Sequence, residues 1–438
     1  MSWRTLKPNE HGDWISQRND VFETFIPIGD RKVDKTFFKL GLFCRGLETA
    51  RDAWTYNSST KLLTDNIYKS IDFYNTQLRL FNEKKQEKQE VIAKEFVAYD
   101  DTKISWSRAF INDLDNNQTK KFDTNGIRAS LYRPYYKQML YFSREFNNVV
   151  SKMDSYFPTS SQENQIICIS GLGGNKDNST IITDKIPDLN CLDAGTQCFP
   201  LYYYEERKVQ QRTLFDTDDG EGDYIRRDGI SDFILERAKK QYGKNVTKED
   251  IFYYVYGFLH SPEYRTKFAN DLKKMLPRLP LVEDIRDFWA FSNAGRKLAD
   301  LHINYESVPP YEGVVVNGAE TLSFIDTEPE GTNLYRVEKM RFPKKDQKDT
   351  IIYNSRISIE NIPLDAYNYV VNGKSAIEWI MERYQVTTHK ESGIKNDPND
   401  WATEVGNPRY ILDLLLSIIN VSMQTNEIVR GLPKVEFE

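Results

Sequence analysis

The sequence predicts an α+β fold in which a long N-terminal helix, a β-rich unit, a helical subdomain and a C-terminal α/β unit follow one another. Between residues 60 and 96, apolar side chains recur at steps of three and four, which is the pattern of a helix with one buried stripe. Between residues 122 and 204, short apolar runs separated by Gly, Pro and Asn indicate strands and turns. A second helical periodicity, over residues 229–305, predicts the helical subdomain.

These patterns divide the chain into four units, which are residues 1–120, 121–227, 228–308 and 309–438. The other predicted helices cover residues 104–114, 231–242, 248–260, 262–275, 284–303, 375–384 and 408–429. The last unit has predicted antiparallel strands at residues 334–341, 350–353 and 356–359. Residues 215–229 are rich in Asp, Glu and Gly, which predicts a solvated loop.

The charge balance excludes one class of protein. The 438 residues include 59 Lys and Arg against 65 Asp and Glu, which gives a net charge of −6 and a pI near 5.6. A compact nucleic-acid-binding domain that is basic on every face is therefore excluded, while a local basic face is not. The composition is 39% apolar and 28% charged, and no apolar run approaches the roughly 18 residues of a membrane span.

Several features indicate a cytoplasmic protein without a metal centre. The N-terminus lacks the basic and then apolar layout of a signal peptide. The four cysteines, at positions 44, 168, 191 and 198, are expected to be reduced structural thiols, with a disulfide or a metal site as the alternatives. The histidines number four, and two of them, His260 and His302, lie near predicted helix ends, where they are expected to bond backbone carbonyl groups.

The charge is unevenly distributed along the chain. Residues 1–160 hold 25 basic and 21 acidic side chains, a net of +4, whereas residues 161–438 hold 34 and 44, a net of −10. Residues 120–152 contain seven basic and two acidic side chains, and seven Phe or Tyr residues interleave with them. Cations beside planar groups suit a nucleic-acid surface, although strands with aromatic residues inside and basic residues outside give the same pattern.

Two glycine-containing segments resemble nucleotide sites only in part. Asn372-Gly373-Lys374-Ser375 ends like a phosphate-binding loop, but it lacks the earlier glycine of that motif, so a turn and helix cap are expected. Ser170-Gly171-Leu172-Gly173-Gly174 follows an apolar strand but precedes no helix pattern, so a glycine hairpin or an exposed loop is expected. The sequence therefore predicts no catalytic residues and no metal ligands.

Several longer strings of residues carry a family resemblance. Together, and in this order, they resemble the C-terminal part of Type ISP restriction–modification enzymes. The strings are Leu6-Lys7-Pro8-Asn9-Glu10-His11-Gly12-Asp13-Trp14, Thr49-Ala50-Arg51-Asp52-Ala53-Trp54-Thr55-Tyr56-Asn57, Leu131-Tyr132-Arg133-Pro134-Tyr135, Gln197-Cys198-Phe199-Pro200-Leu201-Tyr202, Tyr253-Tyr254-Val255-Tyr256-Gly257-Phe258-Leu259-His260-Ser261-Pro262-Glu263-Tyr264-Arg265, Leu276-Pro277-Arg278-Leu279-Pro280-Leu281 and Val371-Asn372-Gly373-Lys374-Ser375-Ala376-Ile377-Glu378-Trp379-Ile380-Met381-Glu382-Arg383-Tyr384.

The resemblance implies a DNA target recognition domain. Family members join a nuclease, a helicase-like ATPase and an adenine-N6 methyltransferase to such a domain, and they use ATP, Mg and S-adenosylmethionine. The resemblance implies that those activities and cofactors belong to the upstream domains and that this part has none of its own. Its expected partners are double-stranded DNA and the methyltransferase and helicase-like domains of the same chain, with no membrane. An interdomain scaffold without base reading is the alternative.

Arg reads guanine, and Asn or Gln reads adenine, through paired hydrogen bonds in the major groove, while phosphate contacts set the register of a bound protein. No family motif assigns base contacts to individual positions. For Arg133, beside Pro134 in a predicted strand, pairing with a buried acid is the competing role. The candidates for the DNA face are Arg45, Arg51, Arg128, Arg133, Lys137, Asn175 and Lys176.

Overall fold

The computed structural model describes residues 7–15, 17–87, 90–207, 223–318 and 334–437, and it confirms the predicted α+β class. The helices are α1 (Asp20–Thr24), α2 (Asp52–Thr55), α3 (Thr60–Gln86), α4 (Ala93–Phe96), α5 (Arg108–Asp115), α6 (Met153–Tyr156), α7 (Asp232–Tyr242), α8 (Lys248–Phe258), α9 (Pro262–Lys267), α10 (Ala269–Lys274), α11 (Ile285–Ile303), α12 (Ala376–Arg383), α13 (Pro398–Glu404) and α14 (Tyr410–Arg430). The strands are β1 (Ile26–Pro27), β2 (Cys44–Arg45), β3 (Tyr56–Asn57), β4 (Ile127–Arg133), β5 (Tyr136–Tyr141), β6 (Ile166–Ile169), β7 (Thr180–Thr183), β8 (Ile186–Pro187), β9 (Gln197–Pro200), β10 (Tyr202–Glu206), β11 (Tyr224–Asp228), β12 (Arg278–Leu279), β13 (Val315–Asn317), β14 (Ile351–Ile352), β15 (Ser358–Glu360), β16 (Val370–Val371), β17 (Lys374–Ser375), β18 (Thr387–Thr388) and β19 (Lys395–Asn396).

The long N-terminal helix is present but shorter than predicted. Ser59 caps α3, because its side chain accepts a hydrogen bond from the backbone N–H of Leu62. The buried stripe of the helix ends at Phe81, and α3 itself ends at Gln86 rather than at residue 96. Beyond Phe81 the helix has no apolar side chain to bury, so tertiary packing no longer supports it. The next predicted helix also starts late, at Arg108, because Ser107 caps it.

Two four-stranded sheets form the β-rich unit, with strand orders β2-β9-β6-β7 and β3-β5-β4-β8. The first sheet is antiparallel throughout and lies between two hydrophobic cores. Ile166 and Cys168 face one core, and Ile167 and Ile169 face the other, as the two-residue period of a strand requires. Both faces of this sheet are therefore covered, and its strand β6 is buried along its whole length.

The four cysteines confirm the prediction of structural thiols. Cys44 and Cys168 are both register partners of Cys198 on strands flanking β9, and all three side chains enter the same core. Cys191 is buried in that core as well. All four are free thiols, and burial raises the pKa of Cys44, Cys191 and Cys198. A thiol buried with a raised pKa is unreactive, so these side chains contribute packing.

The helical subdomain is built around the crossing of α8 and α11, in which Gly257 and Gly295 bring the two backbones together. The predicted helix over residues 262–275 is divided into α9 and α10 at Phe268. Phe268 has a non-helical backbone conformation, and its fully buried ring lies 5.3 Å from the ring of Phe22. Packing of this ring against the N-terminal segment accounts for the break.

The C-terminal unit is an α/β arrangement around α14, as predicted, but the predicted strand over residues 334–341 is wrong. Side chains bond the backbone of this segment in place of a neighbouring strand. The amide of Asn354 donates to the carbonyl oxygens of Leu334 and Arg336, and Asn399 bonds both backbone groups of Val337. Only Arg341 pairs with another strand residue, Ile352, within the described part of this segment.

Each hydrophobic core draws residues from more than one predicted unit. One core joins the β-rich unit to the C-terminal unit, and the second joins the N-terminal residues to the helical subdomain. The third packs α3 against α5 and the end of β5. The boundaries after residues 120, 227 and 308 remain a prediction.

The helical subdomain contains two buried histidines, and one of them bonds the C-terminal helix. His260 bonds the backbone oxygen of Tyr256 through Nδ1 at 2.8 Å, as expected for a helix-end histidine. His302 differs from the expectation: its Nδ1 lies 2.6 Å from the hydroxyl of Tyr256, and its Nε2 lies 2.9 Å from the hydroxyl of Thr425. Burial lowers the pKa of His260 to about 4 and lowers the pKa of His302 well below its ordinary value.

This burial predicts a loss of stability on mild acidification. Below pH 6.5 the unfolded chain protonates both histidines while the folded chain does not, so the free energy of unfolding falls as the pH falls. For the two groups together we expect a loss of about 4 kcal/mol between pH 7 and pH 5, measured by urea unfolding. His260→Asn should reduce the loss, because it removes one of the two buried histidines. A free energy of unfolding that is equal at both pH values would contradict the prediction.

Candidate nucleic-acid interface

A polar cleft of about 750 Å³ opens on the β-rich unit. Its walls are the start of β4, the loop over residues 157–165 and the two-stranded ribbon of β10 and β11, and the helical subdomain closes one end. Three basic side chains, Arg128, Lys185 and Arg226, line the cleft together with hydroxyl and amide groups. Three carboxylate side chains also line it, namely Glu163, Asp184 and Glu249. The lining therefore contains both basic and acidic side chains and is not uniformly basic.

The ribbon carries two exposed arginines on opposite faces. Strands β10 and β11 pair antiparallel from Tyr202 opposite Asp228 to Glu206 opposite Tyr224. Arg226 lies opposite Tyr204 and lines the cleft, with its guanidinium 4.4 Å from the ring of Tyr202. Because successive strand residues point to opposite faces, Arg227 lies on the other side of the ribbon, where it pairs with Glu205 at 3.1 Å.

Sequence reasoning missed this ribbon. Of the predicted loop over residues 215–229, positions 215–222 lie outside the described residues, but Tyr224–Asp228 form strand β11. The pairing partner of β11 is β10, on the far side of residues 207–223. Composition identified the acidic segment but could not reveal a pairing between residues this far apart.

Arg128 holds the loop over residues 157–165 in place. Its guanidinium donates to the backbone oxygen of Phe157 at 2.7 Å and to that of Pro158 at 3.1 Å. From the other side, Tyr204 donates its hydroxyl to the backbone oxygen of Glu163 at 2.6 Å. Ser160 and Ser161, between these anchors, are exposed. Burial lowers the pKa of Arg128. Its guanidinium both bonds the loop and lines the cleft.

Arg133 has the structural role that competed with DNA contact. Its Nη1 lies 2.7 Å from Oδ1 of Asp188, and the other carboxylate oxygen accepts a hydrogen bond from the hydroxyl of Tyr56 at 3.2 Å. The guanidinium also lies 3.9 Å from the ring of Tyr132. Both members of the ion pair are largely buried, and burial raises the pKa of Asp188 to about 6 against the opposing effect of Arg133.

Arg51 is buried rather than on an open surface. Its side chain packs on Phe110, with 4.1 Å between the guanidinium carbon and the ring centre, and the residue is 8% exposed. Its Nε and Nη1 have no hydrogen-bond partner among the described residues. Burial lowers the pKa of Arg51 to about 10. In this conformation Arg51 stabilises the third core through its contact with an aromatic ring.

The remaining candidates lie on three different elements of the fold. Arg45 is exposed on β2, opposite Gln197. Lys137 on β5 pairs with Glu306 at 3.1 Å and lies 4.6 Å from the ring of Tyr305. Asn175 and Lys176 are exposed in the hairpin loop between β6 and β7.

Both glycine segments adopt the expected structures. The loop after Ser170 connects two antiparallel strands, so it is a hairpin rather than the start of a helix. Asn372 and Gly373 form the turn between β16 and β17, and Ser375 caps α12 in a capping box with Glu378. Throughout the described ranges, no group of three or more His, Cys, Asp or Glu side chains could hold a metal ion. In the same ranges, no helix is both long and apolar enough to span a membrane.

Residues 40–414 match the family model of the Type ISP C-terminal specificity domain. The chain belongs to this family. The match covers most of the chain and confirms the resemblance found in the sequence. No curated protein sequence matches this specificity domain.

Solved structures of DNA complexes share the fold. A nuclease-deletion mutant of the Type ISP restriction–modification enzyme LlaGI, in complex with a DNA substrate mimic, matches with a TM-score of 0.82 and 37% identity, over 100% of this chain and 37% of that one. The ATP-dependent Type ISP restriction–modification enzyme LlaBIII bound to DNA matches with a TM-score of 0.83 and 37% identity, over 99% and 26%. A DrdV–DNA complex matches with a TM-score of 0.78 and 26% identity, over 100% and 41%. The specificity domain thus spans between 26% and 41% of the length of these proteins.

Proposed function

We propose that this chain recognises a target sequence in double-stranded DNA on behalf of a larger restriction–modification enzyme. The observation that carries the proposal is the match of the whole chain, at 37% identity, to LlaGI in complex with a DNA substrate mimic. In this proposal the domain holds the duplex against an adenine-N6 methyltransferase and a helicase-like ATPase of the same polypeptide in the cytoplasm. It has no catalytic step of its own, and ATP, Mg and S-adenosylmethionine are bound by those other domains.

The geometry of the ribbon supports base reading at the polar cleft. The major groove of DNA admits a two-stranded β-ribbon, and an Arg side chain can bond both acceptors of a guanine there. Arg226 has the required exposure and faces the cleft beside the hydroxyl and amide groups of the loop over residues 157–165. Arg227, one residue away, faces the opposite side. We therefore assign base contact to the Arg226 face.

Arg226→Ala is expected to relax sequence preference at one guanine-containing position, because a paired contact to guanine contributes about 1–3 kcal/mol of discrimination. The measurement is selection of bound duplexes from a randomised pool, followed by sequencing. Arg227→Ala is the matched control, since it removes the same charge from the other face of the ribbon and should leave the selected motif intact. An unchanged motif with Arg226→Ala would remove this residue from the interface.

Lys176→Ala is expected to weaken binding of all duplexes equally and to reduce the slope of log affinity against log salt by roughly one, as loss of one phosphate contact does. Lys176 is exposed at the tip of the hairpin loop, and its ammonium lies 5.9 Å from the ring of Trp379. Affinity measured over a salt series tests this contact. Lys240→Ala, at an exposed position on α7, is the control for loss of charge alone and should retain the slope of the unmodified chain.

An interdomain scaffold is the second candidate function. Exposed apolar side chains favour it, since Trp14 is 59% and Ile15 is 76% exposed, and such residues are typical of a surface that another domain covers. The acidic balance of residues 161–438 points the same way. The two functions differ in one observable, because a scaffold alone would bind neither target nor random duplex.

A further inference from the structure

A second pocket, of about 210 Å³, lies between β5 and the C-terminal unit. Its walls are largely aromatic: Tyr136, Tyr384, Trp401 and Tyr410 line it, together with Met139 and Pro398. The rings of Tyr136 and Tyr384 meet edge to face at 4.9 Å. We call this space the aromatic pocket. It is smaller than the roughly 300–1,000 Å³ of sites for drug-sized ligands, and it therefore suits a single flat ring system.

The polar groups of the aromatic pocket are few and held in position. The amide of Gln138 donates to the hydroxyl of Tyr136 at 2.7 Å. Glu306 accepts hydrogen bonds from the hydroxyl of Tyr410 at 2.9 Å and from the ammonium of Lys137 at 3.1 Å. Lys185 adds a second ammonium group to the lining. Each ammonium is paired with a carboxylate, Lys137 with Glu306 and Lys185 with Asp184 at 2.7 Å. Apolar walls with a few fixed polar groups suit a neutral aromatic heterocycle.

The aromatic pocket adjoins the polar cleft. Ala129, Met139 and Lys185 line both of them. A DNA strand that occupies the polar cleft would thus contact residues that also line the aromatic pocket. Stacking of a base on aromatic side chains tolerates any base and contributes about 1–3 kcal/mol, which is comparable with the few kcal/mol needed to remove a base from the stack.

From this arrangement we propose that the aromatic pocket binds one unstacked nucleobase. The inference rests on the proposed function in one respect, since the base would belong to the DNA held in the polar cleft. A free nucleotide offers the same flat ring, so it is the other source of this ligand. In this proposal Lys137 lies beside the bound base, where its ammonium pairs with Glu306. It does not contact DNA from an open surface.

Two titrations distinguish the sources. In the first, the chain is titrated with a duplex that contains one unpaired deoxyadenosine and with the same duplex fully paired. We expect roughly tenfold tighter binding of the bulged duplex, which corresponds to one stacked base, and quenching of Trp401 fluorescence. In the second, deoxyadenosine monophosphate alone is added, and quenching there identifies a free nucleotide as a ligand.

Two variants keep the test independent of folding defects. Trp401→Ala removes one wall and Tyr410→Ala removes another, and neither residue lines the polar cleft, so both should abolish the preference for the bulged duplex while binding of the paired duplex remains. Trp289→Ala is the control, because Trp289 packs on the second core, remote from the aromatic pocket. The inference is overturned if neither the bulged duplex nor the nucleotide binds preferentially, or if the preference survives in both pocket variants. Failure of the proposed function is a different result, in which the paired duplex does not bind either.

Discussion

Gly295→Ala is expected to destabilise the chain by about 3 kcal/mol or more, because a side chain at this position would collide with a neighbouring backbone. A Cβ atom on Gly295 would lie 1.9 Å from the backbone oxygen of Tyr253 and 2.9 Å from the backbone nitrogen of Gly257. Both contacts are with backbone atoms of α8, which cannot move aside without separating the helices. At an exposed position in a helix, replacing Gly with Ala would raise the free energy of unfolding by about 1 kcal/mol. Helix propensity alone therefore predicts stabilisation, the opposite of the effect expected here.

The loss is measured by urea unfolding followed by circular dichroism. Asn293→Ala, at an exposed position on the same helix, is the control and should change the free energy of unfolding by no more than about 0.5 kcal/mol. Gly257→Ala should behave like Gly295→Ala, because its Cβ would lie 2.1 Å from the backbone oxygen of Phe291. An unchanged unfolding midpoint for Gly295→Ala would show that the two helices do not approach this closely.

Arg133→Ala is expected to cost about 3–5 kcal/mol of stability, since it leaves a buried carboxylate without its cation. Asp188 is 1% exposed, so water cannot replace the guanidinium. Removing both charges, in Arg133→Met combined with Asp188→Asn, should cost less than Arg133→Ala alone, because no unpaired charge stays buried. Chemical unfolding of the two variants provides the comparison.

The same variants separate the two roles considered for Arg133. If the residue is structural, the folded fraction of Arg133→Ala binds duplex DNA as the unmodified chain does. A variant that keeps its stability but loses DNA affinity would instead place Arg133 at the DNA face. The 2.7 Å contact with Asp188 favours the first outcome.

Sequence patterns correctly predicted those elements whose formation depends on residues close together in the chain. The stripe from Leu63 to Phe81 identified α3, and the helical pattern over residues 231–242 identified α7. The end of α3 and the break at Phe268 depended on which apolar side chains found a partner elsewhere in the chain. The false strand over residues 334–341 had the apolar content of a strand, but Asn354 and Asn399 bond its backbone instead.

The candidate site was less predictable, because the sequence locates charge along the chain and not in space. Arg51, Arg128 and Arg133 all lie within residues 1–160, which have a net positive charge, yet each guanidinium contacts groups within the chain. Arg226 was overlooked because it follows an acidic segment and is positioned by pairing with distant Tyr204. Exposed Arg45, Asn175 and Lys176 stay candidate DNA contacts for the same proposal.

The most direct test of DNA recognition is fluorescence anisotropy of a labelled duplex with the purified chain at two salt concentrations. Binding to random-sequence DNA without the other domains is expected to be weak, with a dissociation constant of roughly 10⁻⁴–10⁻⁶ M at physiological salt, tighter at low salt. Duplexes recovered by selection should bind more tightly than random ones. A folded chain that leaves the anisotropy of both duplexes unchanged at low salt would contradict the account and leave the scaffold function in its place.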